Sequence, residues 1–272
     1  IITSLLAAYF YINSGKGVGI AKLSFYLYSL FLFYFIVKFG SNGEAYNEIL
    51  EGSSRNYLSA ISIFLTINIY VQLIYRSKLL LIHPALINFI LCVLLFGRSG
   101  IALSLVILLF VIYARSIKLF MASVFFLGVF ALAYISNIIL YLDSKTNFAI
   151  GLESERSIFR AEYLRGIFYN FDFLVGRKIS ECCSYIQSFG NPHNSFIMGH
   201  MRYGIFHTVF SILILVFVFL KRDFLILFLV LIIFSRYFLD QLGLFAFFDY
   251  VLFGLIFISI LGRKKNIVGV SD

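Results

Sequence analysis

The sequence predicts an all-α, polytopic membrane helical bundle, on three observations. The 272-residue chain is 61% hydrophobic and 13% charged, with a mean hydropathy of +0.98. Its apolar runs approach the roughly 20 residues that a helix needs to cross about 30 Å of hydrocarbon. Residues 210–220 and 224–234 are apolar on every face, whereas a helix of a soluble core keeps a polar side. A β-barrel is excluded on the same ground.

Taken in order, the apolar runs place nine helices at 1–12, 23–37, 57–75, 79–96, 101–114, 119–142, 204–220, 224–237 and 248–261. The first is short and begins inside an apolar run without a Met, so the N-terminal part of the bundle is expected to be missing. Residues 1–142 then hold helices one to six, 143–203 form one large polar loop, and 204–272 hold helices seven to nine with a tail.

Charge sets the orientation. When the nine segments alternate, Lys16, Lys22, Arg76, Lys78, Arg115, Lys118, Lys221, Arg222, Arg263, Lys264 and Lys265 all fall on one side. An excess of Lys and Arg in short connections marks the cytoplasmic face. The formal net charge of +9 is therefore a topology signal, with contact to anionic membrane lipids. It does not indicate nucleic-acid binding, because no basic run interleaves with aromatics on a soluble module. The 143–203 loop comes out on the external side.

Three cysteines define no metal site. Cys92 lies in a helix as packing, and Cys182 and Cys183 are adjacent, too close for an ordinary disulfide without backbone strain. No Cys or His at suitable spacing completes a ligand set, so no metal and no cofactor are expected.

Chemistry is expected where polar groups meet the external face. Gly97-Arg98-Ser99-Gly100 separates two apolar runs, and the second is only 14 residues, or about 21 Å. Arg98 then sits below the outer surface beside a helix N-terminus, in a glycine-flanked turn suited to a phosphate or diphosphate. The competing reading is an arginine snorkelling to the interface. Within the loop, 154–168 has the pattern of a short helix with Ser154 as its cap and a stripe of Ile158, Ala161, Leu164 and Ile167/Phe168. Arg156 and Arg160, four apart, share a face and can approach one anion, or can belong to a solvated surface with Glu155 and Glu162. Pro192 directs His193 to open a helix near the membrane surface, with its imidazole facing outward. Arg236 lies near Asp240, as a structural pair first and a substrate contact second. His83, beside Pro84 in mid-helix, and His207 are packing or kink features.

The order of these pieces carries a resemblance. Leu95-Phe96-Gly97-Arg98-Ser99-Gly100 at a helix junction is followed by Glu155-Arg156-Ser157-Ile158-Phe159 in a large loop. Phe173-Leu174-Val175-Gly176 comes next, and then Pro192-His193-Asn194-Ser195-Phe196 with Tyr203-Gly204 before another span. The series resembles the bacterial O-antigen polymerase and O-antigen ligase superfamily over roughly residues 79–220.

The resemblance implies a GT-C type membrane glycosyltransferase in the bacterial inner membrane, with its large loop and active site on the periplasmic side. Glycan would leave undecaprenyl pyrophosphate for the next lipid-linked repeat unit, or for lipid A-core in a ligase. Arg98, Arg156 and His193 are then the catalytic residues. Arg160, Asn194, Tyr203 and Arg236 complete the substrate-binding set, and a chain-length regulator protein is a further partner. Two positions depart from the family: Phe159 stands where a Trp often follows the loop arginine, and Arg202 stands where an acidic residue often precedes the closing glycine. The chemistry is consistent with metal-independent inversion, since guanidinium groups can neutralise a leaving diphosphate. His193, with an unperturbed pKa of about 6.5, can act as base or phosphate ligand. A transporter or flippase for a lipid-linked solute is the alternative of another class, and it would call for paired broken helices and midplane charges.

Overall fold

The computed structural model describes residues 1–40, 42–50, 54–145, 155–169, 171–190, 192–246 and 248–263. The described residues hold fourteen α-helices and one 3-10 turn at Ala45–Glu48. The first six helices are α1 (Ile2–Asn13), α2 (Gly17–Phe39), α3 (Arg55–Tyr75), α4 (Ile82–Leu94), α5 (Arg98–Arg115) and α6 (Ile117–Lys145). Five short helices follow: α7 (Glu155–Leu164), α8 (Asp172–Val175), α9 (Ile179–Cys182), α10 (Ser184–Phe189) and α11 (Ser195–Tyr203). The last three are α12 (Ile205–Leu220), α13 (Phe224–Leu239) and α14 (Asp249–Leu261).

Each of the nine apolar runs falls on one of α1–α6 or α12–α14. Four helices, α2, α3, α5 and the Ile117–Tyr134 part of α6, are long and apolar enough to cross a membrane, while the other five are apolar but shorter. The fold is therefore an all-α arrangement with transmembrane character in at least these four helices.

Two compact units make up the chain: Ile1–Phe10 with Ile150–Leu261, and Tyr11–Ala149 with Gly262–Asp272. In the second unit α3 is the central helix, buried along most of its length. Hydrogen bonds tie it to its neighbours. Tyr28 donates to the Leu58 carbonyl at 3.0 Å, Ser62 to Asn88 Oδ1 at 2.7 Å and Tyr70 to the Leu81 carbonyl at 3.0 Å. Between apolar helices such bonds fix register, because a group left unpaired has no water to turn to. Leu32, Tyr46, Leu58, Leu91, Leu95 and Phe96 pack one end.

Several sequence expectations are corrected here. The fifth helix starts at Arg98, which lengthens it from 14 to 18 residues, or about 27 Å. The left-handed residue of the junction is Phe96 (φ 57), and Gly97 is extended. Gly100 lies inside α5 because the helix passes tightly over Ser59, whose Oγ would stand 2.6 Å from an added Cβ. Pro84 is the third residue of α4, where its missing N–H is no loss, so it makes no mid-helix kink. The non-helical residue is Tyr134 in α6, at φ −120 and ψ 18.

In the first unit the short helices gather on a core of Phe159, Tyr163, Ile167, Cys183, Ile186 and Ile197. The buried face of α7 is thus Phe159 and Tyr163, while of the expected stripe only Ile167 joins the core and the rest is outward, with Ile158 49% and Leu164 58% exposed. Glu162 is not solvated either. Its carboxylate accepts from the backbone N–H groups of Tyr185 and Ile186 at 3.1 Å each, capping α10 from another helix. Ser154, the expected cap of α7, lies outside the described residues. Cys182 and Cys183 are joined in a disulfide at the α9–α10 junction, against the expectation from their spacing. Asp249 ties α14 to α13, accepting from Tyr237 O–H at 2.7 Å and from the Ala246 N–H at 2.6 Å.

Candidate anion-binding site

The site forms where the end of α13 meets the entries to α7 and α11, all within the first unit. Asp240 is the residue after α13, in extended backbone (φ −148, ψ 163). Its carboxylate reaches Arg236 at 2.8 Å, one turn back, and Arg156 of α7 at 3.0 Å. Arg236 is fully buried and Arg156 is a quarter exposed. A buried guanidinium is tolerated only with a partner close at hand, and Arg236 has Asp240 beside it and the negative end of α13 around it.

Arg160, four residues after Arg156, extends the cluster. Its guanidinium carbon lies 4.7 Å above the Phe238 ring, a cation–π placement. Phe238 also accepts, through its carbonyl, the side-chain N–H of Asn194 at 2.9 Å. Three arginines against one carboxylate leave the cluster net cationic, and Arg156 and Arg160 are its partly exposed members.

The 192–195 segment is built as a tether. Asn194 caps α11, its Oδ1 accepting from Phe196 and Ile197 N–H at 2.9 and 3.1 Å. Ser195 donates to the Asp240 carbonyl at 2.7 Å and accepts from the N–H groups of Leu242 and Gly243 at 2.8 and 3.1 Å. One hydroxyl therefore fixes the turn that carries Asp240.

His193 lies within this segment, ahead of the cap, and does not open the helix. It takes a left-handed backbone (φ 46), a costly conformation for a residue with a Cβ. Its ring stacks on Phe159 with centroids 5.9 Å apart and planes 14° apart. Phe159 sits one turn from Arg156 and beside Arg160 on α7, which brings His193 into the same neighbourhood.

Arg156, Arg160, Arg236 and Asn194 thus come together at Phe238 and Asp240, while His193, next to Asn194 in the chain, stacks on Phe159 of α7. Tyr203, at the end of α11, instead contacts His207 and Phe245 and lines a separate cavity of about 90 Å³ with Arg202, Gln241 and Leu242. Arg98 belongs to the second unit, as the first residue of α5, partly exposed, with Gly97 preceding it.

Sequence reasoning paired Asp240 with Arg236 but missed its second partner, because Arg156 is 84 residues away and no local spacing joins them. It also passed over His200. That imidazole is buried and held at both nitrogens, Nδ1 by Tyr163 O–H at 2.7 Å and Nε2 by the Phe173 carbonyl at 2.9 Å. A carbonyl only accepts, so Nε2 carries the proton and Nδ1 takes the tyrosine's. Burial pushes the Tyr163 hydroxyl up to about 12.

Comparison with family models, with curated proteins and with solved structures finds no match to this chain. The class is set by the fold and the site alone: an all-helical protein with membrane-length helices and a clustered arginine site beside a histidine.

Proposed function

We propose that the protein is a membrane glycosyltransferase of the O-antigen polymerase kind, moving glycan from undecaprenyl pyrophosphate onto the next lipid-linked repeat unit at the periplasmic face of the inner membrane. The observation that carries this reading is the sharing of Asp240 by Arg156 and Arg236, with Arg160 and His193 held beside them. A diphosphate needs at least two fixed cations to leave as a stable anion, and guanidinium groups meet its oxygens with paired N–H donors. Asp240 keeps the two arginines aimed and parted from each other while no anion is bound.

In this reading Arg156 and Arg160, the partly exposed pair, receive the diphosphate, and Arg236 holds Asp240 in place from behind. Negative charge grows on the leaving phosphate as the bond to the anomeric carbon breaks, and the arginines stabilise it there. His193 accepts the proton of the attacking sugar hydroxyl, and direct in-line displacement inverts the anomeric carbon. Arg98, a catalytic residue by the resemblance, belongs to the second unit and is tested separately.

The test is to supply the purified protein with undecaprenyl-pyrophosphate repeat units in detergent. Polymerisation gives a ladder of longer glycans, a ligase gives product only after lipid A-core is added, and a transporter or flippase forms no new glycosidic bond. Absence of any new bond under both conditions overturns the proposal.

A further inference from the structure

The segment that carries the arginines also carries an apolar face that its own core does not use. Leu164, Phe168, Tyr169, Phe171, Leu174 and Val175 are each half exposed or more, Phe168 at 79% and Phe171 at 74%. So many large apolar side chains within twelve residues mark an interaction surface rather than a wetted one. Phe171 is also in left-handed backbone (φ 61), unfavourable for a residue with a Cβ, and its ring is still left outside.

Packing fixes where this face lies. Helix α8 is seated directly on the start of α12. A Cβ on Gly204 would overlap the Leu174 carbonyl oxygen and stand 2.8 Å from the Val175 carbonyl carbon, and one on Gly176 would stand 2.8 Å from the Met201 carbonyl oxygen. The segment that bears the exposed face is thus in contact with the start of α12, whose own surface is apolar too, with Phe206 66% and Leu213 58% exposed. Exposed basic residues lie within and beyond it at Arg165, Lys178 and Arg202, Lys178 being paired with Glu181 at 3.2 Å.

We propose that this face lies in the interfacial layer of a lipid bilayer, with Phe168, Tyr169 and Phe171 among the upper acyl chains and the three basic residues toward anionic headgroups. Amphipathic surfaces of this make-up, aromatic within and basic at the rim, partition into that layer. Contact with the apolar α12 and the exposed basic residues favour lipid over a second copy of the chain or another protein. Anchored in this way, the short helices hold α7 and its arginines at the membrane surface. The placement rests on the exposed face alone and does not depend on glycosyl transfer.

The chain has no Trp, so a single introduced indole is a clean reporter. F168W, F171W and, as a control on the exposed face of α10, Q187W are each reconstituted in phosphatidylethanolamine–phosphatidylglycerol vesicles containing lipid brominated near the top of the acyl chain. Monodisperse elution in detergent confirms that each variant is folded. F168W and F171W are expected to emit to the blue of Q187W and to lose most of their emission to the brominated lipid, while Q187W keeps its own. Unquenched emission from F168W and F171W overturns the proposal, whether red-shifted as in water or blue-shifted as in a protein contact. Equal quenching of Q187W overturns it too, since the face would then be no different from the rest of the segment.

Discussion

Arg156 and Arg236, eighty residues apart in the chain, close on the two oxygens of one carboxylate, that of Asp240. The arrangement joins α7 to the end of α13, and it makes the geometry of a cationic cluster depend on a single acidic side chain.

Asp240→Asn is expected to be the most damaging single change at this site. It leaves the fully buried Arg236 without its charge partner, which costs about 3–5 kcal/mol where a buried pair is broken. Arg156→Gln removes the more exposed partner and is expected to cost under about 1 kcal/mol. Thermal unfolding of the two variants in detergent checks the ranking, and equal losses would show that Arg236 does not rely on Asp240.

His193→Gly separates chemistry from backbone. Glycine adopts the left-handed conformation freely, so H193G is expected to unfold no more readily than H193A. Both are expected to lose glycan transfer, as is Arg98→Ala, with all three variants still folded. A ladder of near wild-type length and yield from either His193 variant would remove the imidazole from the reaction.

Gly204→Ala and Gly190→Ala form a matched pair. Both positions have positive φ, but Gly190 is in the left-handed region (φ 74, ψ −9) with nothing within 4 Å of an added Cβ, whereas Gly204 (φ 58, ψ −148) is in a backbone region close to glycine-only and its Cβ would meet the α8 backbone. G190A is expected to cost about 1–2 kcal/mol from backbone strain alone. G204A is expected to cost more and to detach α8 from α12, read as faster hydrogen exchange across residues 171–176. Equal behaviour would mean that α8 yields without penalty.

Alkaline stability is expected to depend on Tyr163. Its hydroxyl is raised from 10.0 to about 12 by burial, so the unfolded chain gives up this proton first. The group's contribution is complete below pH 10 and is lost as pH rises from there through about 12. Tyr163→Phe removes that dependence, flattening the alkaline limb of the unfolding curve, and an unchanged limb would show that Tyr163 is not its source.

Much of the helix order was legible in the sequence, because long apolar runs with basic connections leave few other structures open. The face that α7 buries was not. Ile158, Ala161 and Leu164 make one apolar stripe, and Phe159 and Tyr163 make another about 100° away, so periodicity alone supports both. What decides is tertiary: the Tyr163 hydroxyl finds His200, and the Phe159 ring finds His193. The first stripe is left outward, and it is continuous in chain with the exposed aromatics at 168–171. Arg156 and Arg160 were legible as a pair on one face of a helix, but their partners, Asp240 and the Phe238 ring, lie some eighty residues on, where no spacing rule reaches. At Arg98 the glycine pattern was legible and its geometry was not, since the left-handed position falls on Phe96 and Gly100 serves helix packing.

The Ser195 hydroxyl, bonded at once to the carbonyl of Asp240 and the amides of Leu242 and Gly243, rivets the first residue of α11 to the turn that follows α13. Because α11 leads through Gly204 straight into α12, the turn that carries Asp240 is tied through one hydroxyl to the chain entering the next apolar helix.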